Sequence, residues 1–129
     1  MRVLIADDSA VVVERLVTLL SELEDVEIIA EAQTCGEATE CIRQLQPDVV
    51  ILDIRMPDGS GIDVLETAKK TATAPIIMML TNFPYPQYRE KCLRAGADFF
   101  FDKSTEFEEM IGVFRSLLHR PSGRRENAA

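Results

Sequence analysis

Positive charge is in short supply. Lysine and arginine total 14 against 22 aspartates and glutamates, and the formal net charge of −8 gives the chain no electrostatic footprint for nucleic acid. Histidine occurs once, as His119 near the C-terminus, where it reads as a partner for a helix end rather than a ligand or base. Cysteine occurs three times, at Cys35, Cys41 and Cys92. An odd count with no CxxC pair excludes a disulfide framework and reads as reduced thiols in a cytosolic protein. No apolar run approaches the roughly 18 residues that a membrane span needs. The opening MRVLIADD passes straight from a strand to acids, without a charged n-region and long h-region. No signal peptide, no membrane partner and a cytoplasmic location are therefore expected. Repeats beyond the strand-helix unit and low-complexity tracts are also lacking.

What is present is one domain's worth of chain, 129 residues that are 47% hydrophobic and can bury a core. Five apolar runs alternate with five amphipathic ones. The strands are predicted at Arg2–Ala6, Val26–Glu31, Asp48–Asp53, Ile76–Leu80 and Asp98–Phe101. The unbroken VVIL of the third run marks a central strand buried on both faces. Helical spacing predicts a first helix over Ala10–Leu23, although Val11-Val12-Val13 is a poor local helix signal. Thr34-Cys-Gly-Glu37 reads as a capping box for a second helix that Pro47 stops. Ser60-Gly-Ile-Asp63 opens a third helix to about Ala72, after a loop over Ile54–Ser60. Pro84 and Pro86 precede a short fourth helix ending near Gly96. Thr105-Glu-Phe-Glu108 is predicted to cap the fifth, whose apolar stripe runs from Phe107 to Leu118. Residues 1–120 are expected to form the domain, and 121–129 a flexible C-terminal tail.

Short strand-helix alternation implies a doubly wound α/β domain: a five-stranded parallel sheet with helices on both faces. Ligands of such folds bind beyond the carboxyl ends of the strands. Asp7, Asp8, Asp53, Thr81 and Lys103 each follow one of the apolar runs, so they are predicted to meet at that rim. Two carboxylates about 5 Å apart repel by roughly 3 kcal/mol at an effective dielectric near 20. Three in one pocket demand a cation, and an all-oxygen donor set suits Mg²⁺ better than zinc. Thr81 adds a hydroxyl donor and Lys103 an ammonium, a set suited to the oxygens of a transferring phosphoryl group. Asp53, after the central strand and before a Pro/Gly loop, is the candidate nucleophile. Taken singly the residues say less. Asp7-Asp8-Ser9 also reads as an acidic helix start in which Ser9 or Asp8 caps, and Asp53 as a loop acid. The conjunction at one rim carries the argument.

With the acidic pair Asp7-Asp8, the stretch from Asp53 through Met56, Pro57 and Gly61, then Thr81, and Lys103 after Phe99-Phe-Phe-Asp102, the chain resembles the receiver domains of two-component response regulators, the CheY-like family. The resemblance runs from residue 2 to about 120. It implies a (βα)5 flavodoxin-like fold with strand order 2-1-3-4-5. It implies phosphorylation of Asp53 by a phosphohistidine on a sensor histidine kinase or a histidine phosphotransfer protein. It further implies Mg²⁺, with Mn²⁺ as a substitute, held by Asp8, Asp53 and the backbone carbonyl of Arg55, with Asp7 acting partly through water. Thr81 and the aromatic at Phe100 would be the switch residues, and the fourth helix, fifth strand and fifth helix the output face. Phe100 lacks the phenol hydroxyl often found there.

Two departures from the family pattern stand out. Ser104 replaces a proline that often follows the lysine in a cis peptide bond, leaving that loop's geometry open. The entry to the fourth helix, Asn82-Phe83-Pro84-Tyr85-Pro86, is unusual. Arg55, Asn82 and Phe83 flank the site, and a bulky Phe83 is expected to shield the acyl phosphate from water. The expected function is a single-domain phosphoacceptor that switches a protein-protein interface or relays the phosphoryl group. No DNA-binding output domain or direct nucleic-acid contact is expected, and either a monomer or a phosphorylation-dependent homodimer. The downstream target is a protein that the sequence does not name. Residues 99–107 nonetheless resemble receivers that carry a DNA-binding output domain. The alternative is a pseudo-receiver that binds partners without phosphorylation. A true enzyme fits less well, since the expected chemistry is only Mg-dependent self-phosphorylation and autodephosphorylation. A flavin carrier needs a Ser/Thr-rich phosphate loop after the first strand, and an aspartate-nucleophile phosphatase needs its nucleophile there.

Overall fold

The five apolar runs lie side by side as a parallel sheet, because strands that are apolar at every position need cover on both faces. The computed structural model of the chain describes residues 1–119; the tail expected over 121–129 lies outside the described residues. In order the elements are β1 (Arg2–Ala6), α1 (Ala10–Leu20), β2 (Glu27–Ala32), α2 (Cys35–Leu45), β3 (Val49–Leu52), β4 (Arg55–Met56), β5 (Gly59–Ser60), α3 (Gly61–Lys69), β6 (Ile76–Thr81), α4 (Pro86–Arg94), β7 (Phe99–Asp102) and α5 (Phe107–Leu118). The large sheet has the order β2-β1-β3-β6-β7, with every pairing parallel. Setting aside the small antiparallel pair β4–β5, that is the expected 2-1-3-4-5. Among the described residues no helix is long and apolar enough to cross a membrane.

Alternation along the strands divides the core in two. Leu4, Val50, Leu52, Ile77, Met79 and Phe100 face α2, α3 and α4. Val3, Ile5, Ile51, Met78, Leu80 and Phe101 face α1 and α5, where Leu16, Met110 and Phe114 meet them. Each fully buried side chain of this kind contributes about 1.5–3 kcal/mol. Cys92 lies inside the first layer, and burial pushes its thiol up to about 11, which leaves it protonated and inert.

Three of the predicted N-caps form, although the Glu37 carboxylate of the expected capping box accepts the Gln33 N–H rather than that of Thr34. Ser9 accepts from the Val12 N–H, Thr34 from the Glu37 N–H at 3.1 Å, and Ser60 from the Ile62 N–H at 3.1 Å. Elsewhere the boundaries move. Helix α1 stops at Leu20, with Ser21 as its C-cap, so Leu23 packs from the following turn. Strand β2 starts and ends one residue later than expected, and a bulge between Val3 and Leu4 shifts its pairing. Strand β7 is also one residue later, and just before it the Asp98 carboxylate pairs with Lys69 Nζ and accepts the Ile77 N–H. Thr105 does not cap α5. The N-cap is Glu106, whose carboxylate instead accepts the Asp102 N–H at 2.9 Å. Helix α3 ends at Lys69, short of Ala72. His119 closes α5 as its C-cap.

The expected loop over Ile54–Ser60 contains the β4–β5 hairpin. Its turn is pinned to α2 by Asp58, whose two carboxylate oxygens accept the Cys35 N–H at 2.7 Å and the Gly36 N–H at 3.0 Å. Those are otherwise unpaired donors of a helix N-terminus, capped here from another part of the chain. The hairpin's other end is held by Gly61. A Cβ there would lie 1.8 Å from the Asp53 carbonyl oxygen, so only glycine allows α3 to start against the strand end.

Two outcomes follow from this anchoring. Gly61→Ala forces the Asp53 loop and α3 apart and costs about 1–3 kcal/mol, as overpacking does, read as a lower urea midpoint. The Cys35 and Gly36 N–H bonds hold the Asp58 carboxyl below its usual range. Its stabilisation is therefore present above the ordinary carboxylate pKa and disappears as pH falls through the lowered folded value. Asp58→Ala should melt below the parent at neutral pH, and thermal scans in progressively acidic buffer should show the gap closing.

Candidate functional site

Asp7, Asp53 and Lys103 each sit one step beyond a strand, Thr81 is the last residue of β6 and Asp8 follows Asp7; the sheet's own ladder fixes the first three. The Asp7 N–H donates to the Ala32 carbonyl at 2.9 Å, the Asp53 N–H to Ala6 at 3.0 Å and the Lys103 N–H to Thr81 at 2.9 Å. Backbones are thus locked to neighbouring strands while side chains project past the rim. Lys103 Nζ lies 2.6 Å from Asp7 Oδ2 and 3.0 Å from Asp53 Oδ2. Asp7, Asp53 and Lys103 are all buried, at 2%, 6% and 7% exposure, whereas Asp8 is exposed. Asp7, Asp8 and Asp53 offer carboxylate oxygens within 4.8 Å of one another.

The charges do not balance. Three carboxylates share one ammonium, which leaves the deficit that a divalent cation fills. All the side-chain donors are hard oxygens and no His or Cys joins them, so the residues fit Mg²⁺ or Mn²⁺ rather than zinc. Burial pushes the Asp53 carboxyl above its usual range. The Asp7 charge adds to this, and Lys103 opposes it without reversing it. Burial works against the Lys103 charge too, yet its bond to Asp7 and the pull of Asp53 and Asp7 outweigh that and raise its pKa. The ammonium is firmly held by two acids, while Asp53 has only a share of one cation.

Thr81 is fully buried, and its Oγ1 accepts the Phe83 N–H at 3.0 Å, which leaves the hydroxyl hydrogen to donate. Phe100 is buried in the layer beneath α4, with the Arg89 guanidinium 5.6 Å above its ring. Arg55 and Asn82 are exposed, and the Arg55 guanidinium lies 4.0 Å over the Phe83 ring. Of the predicted residues, Asp7, Asp8, Asp53 and Lys103 therefore converge, Arg55 and Phe83 touch each other, and Phe100 lies in the core.

Ser104 resolves the open loop. The Lys103–Ser104 peptide is trans, and the Ser104 N–H and Oγ donate to Asp102 Oδ1 at 2.8 and 2.7 Å. A proline has neither donor. Sequence reasoning missed this turn, although Asp-x-Ser is a recognisable local pattern. It also missed Tyr88, whose hydroxyl lies 3.5 Å from Arg55 Nη2; no local pattern signals that contact.

The family model described as Response regulator receiver domain matches residues 3–115. The chain is 35% identical over 117 residues to the uncharacterized transcriptional regulatory protein YvfU of Bacillus subtilis (strain 168), across 91% of this chain and 58% of that protein. It superimposes on a DNA-binding response regulator of the LuxR family from Staphylococcus aureus with a TM-score of 0.82 at 30% identity, covering 89% of this chain and 96% of that one. A CheY-like response regulator receiver domain protein from Methanospirillum hungatei JF-1 gives 0.82 at 26% identity, over 99% and 98%. The chain spans less than two thirds of the length of the curated relatives it matches. Those relatives are named as transcriptional regulators, so the expected lack of nucleic-acid contact gains no support from them. Receivers are signalling modules rather than classical enzymes, work with histidine kinases and generally bind Mg²⁺ at an acidic pocket, which here corresponds to the aspartate cluster. From the rim geometry and this match, the chain belongs to the response-regulator receiver domain family of two-component signalling.

Proposed function

We propose that Asp53 accepts a phosphoryl group from a phosphohistidine of a sensor histidine kinase or histidine phosphotransfer protein, and that the change drives a protein-protein switch or onward relay. One observation carries this reading: Lys103 Nζ bridges Asp7 and Asp53 inside a cluster of three carboxylates. In the transfer, a carboxylate oxygen of Asp53 attacks phosphorus and the P–N bond breaks. Its electron pair leaves with the imidazole nitrogen, and an acyl phosphate remains. Lys103 and the Thr81 hydroxyl take phosphoryl oxygens. Asp8, Asp53, the Arg55 carbonyl and, partly through water, Asp7 are the residues to hold Mg²⁺, which supplies charge neutralisation when bound. Water later cleaves the acyl phosphate and restores the carboxylate.

A groove of about 340 Å³ opens from Asp7 between α1 and β2, lined by Val13, Glu14, Val17 and Gln33 among others, and offers a partner a path to the rim. Thr81 and the buried Phe100 are the proposed switch, and α4, β7 and α5 the responding face. A monomer that dimerises on phosphorylation and a cytoplasmic setting accord with this reading. The complete set of Asp53, Thr81 and Lys103 weighs against a phosphorylation-independent interaction module.

Incubation with Mg²⁺ and a small-molecule phosphodonor should add one phosphoryl mass, mapped to Asp53 and missing from Asp53→Asn; a label on another residue sinks the proposal. Loss of even outer-shell partners weakens metal sites about 10–100-fold, so Asp8→Asn should weaken Mg²⁺ binding by at least about tenfold in calorimetric titration. Phe83, held at the rim by the bond of its N–H to Thr81 Oγ1, is proposed to keep water from the acyl phosphate. Phe83→Ala should shorten the phosphorylated lifetime severalfold, and decay no faster than the parent's would refute that shielding.

A further inference from the structure

Arg55 is a guanidinium without an acid. Among the described residues no carboxylate lies within ion-pair distance of it, whereas Arg43 and Arg94 each pair with a glutamate on their own helix. Arg55 rests instead over the Phe83 ring at 4.0 Å, with Nη2 3.5 Å from the Tyr88 hydroxyl. Tyr85 links the two rings, at 6.3 Å from Phe83 and 5.9 Å from Tyr88. Both holds are weak: the cation–π contact is solvent-exposed and the hydrogen bond is long.

The position of Arg55 matters more than its present partners. It follows Asp53 by two residues, so the two Cα atoms lie within about 7 Å even if the chain is fully extended. Its guanidinium lies over Phe83, whose N–H is held by the Thr81 hydroxyl at the rim, so the side chain already stands beside the strand ends that carry the site. A phosphoryl group on Asp53 brings about −1.5 to −2 charges and three strong acceptor oxygens. Lys103 is already divided between Asp7 and Asp53, so the cationic side chains at the rim fall short of that load. A planar guanidinium suits it bidentately, and that charge-assisted pair is stronger than an exposed stack on a ring.

We infer that Arg55 is a second cationic ligand of the phosphoryl group carried by Asp53, and that in binding it Arg55 leaves Phe83 and Tyr88. This rests on Asp53 being the phosphoacceptor. It makes the aromatic cluster at the start of α4 a direct reporter of phosphorylation.

The two tyrosines of the chain are Tyr85 and Tyr88 and it has no tryptophan, so ultraviolet emission reads this cluster alone. The experiment follows tyrosine emission and the Arg55 Nε–Hε resonance of the full chain before and after phosphorylation, with uptake at Asp53 verified by mass. Leaving a ring face and gaining a phosphate bond both move the Arg55 proton downfield, so a downfield shift is expected together with a change in emission. Arg55→Met keeps the backbone carbonyl, and whatever fraction of it carries the phosphoryl group, verified by mass, should show the tyrosine emission of its own unphosphorylated form. Uptake at Asp53 with the Arg55 resonance unmoved overturns the inference while leaving the phosphoacceptor reading intact. An emission change that persists in Arg55→Met overturns it as well. Absence of any label on Asp53 overturns both.

Discussion

The Lys103 ammonium, held between Asp7 and Asp53, is the interaction on which the rest of the site depends. It joins the end of the outermost strand β7 to the ends of β1 and β3, which are not its neighbours in the sheet. Burying an ion pair costs desolvation that mutual attraction often only matches, and breaking one by removing a partner costs about 3–5 kcal/mol. A core of aliphatic side chains on both sheet faces carries that cost elsewhere in the molecule. The rim is therefore a place where stability is given up for charge. The raised Asp53 pKa is the local sign of it: burial outweighs the share of Lys103 that this carboxylate receives. A dication and a phosphoryl group are the species that relieve such a site, one by compensating acids and the other by giving the ammonium oxygens to hold.

Precision at the rim comes from the backbone. Asp7, Asp53 and Lys103 each donate an N–H to the adjacent strand, so their side chains start from fixed points. Gly61 then brings α3 against the Asp53 carbonyl, and Asp58 fastens the intervening hairpin to α2. The Asp53 segment is held on both sides within nine residues of chain. An exposed loop of that length without such anchors would leave Asp53 poorly aimed, and transfer chemistry depends on aim within fractions of an ångström.

What was legible in the sequence were features whose cause is local or periodic. Doubly apolar strands, their order of alternation with helices, and the caps at Ser9, Thr34 and Ser60 belong to that class. So does the identity of the rim residues, because a polar residue after an apolar parallel strand has one end of the sheet to occupy. Misses arose where two local signals competed or where the partner was remote. Thr105 matched a capping pattern, but the Glu106 carboxylate was drawn back to the Asp102 N–H, and the helix started one residue later. Asp58 caps a helix more than twenty residues upstream, which no window of sequence displays. The tail beyond residue 120 lies outside the described residues, and the relatives are longer regulators, so the expectation of a single-domain protein stands on the sequence reading alone.

The chain's departures from the family pattern form a consistent set. Proline is missing after Lys103, and a serine supplies two donors that close the turn on Asp102. The phenol that receivers often carry at the position of Phe100 is also missing, and Phe100 is buried in the core layer with the Arg89 guanidinium over its ring. A phenol is nevertheless present nearby, at Tyr88 on α4, and it meets the loop after Asp53 through Arg55. Polar communication between that loop and α4 thus has a physical route in this chain that does not need a hydroxyl on β7. Phe100 packs in the core, whereas the Arg55–Tyr88 contact carries a charge. A buried ring answers to volume, whereas a guanidinium answers to charge, and charge is what phosphorylation changes most.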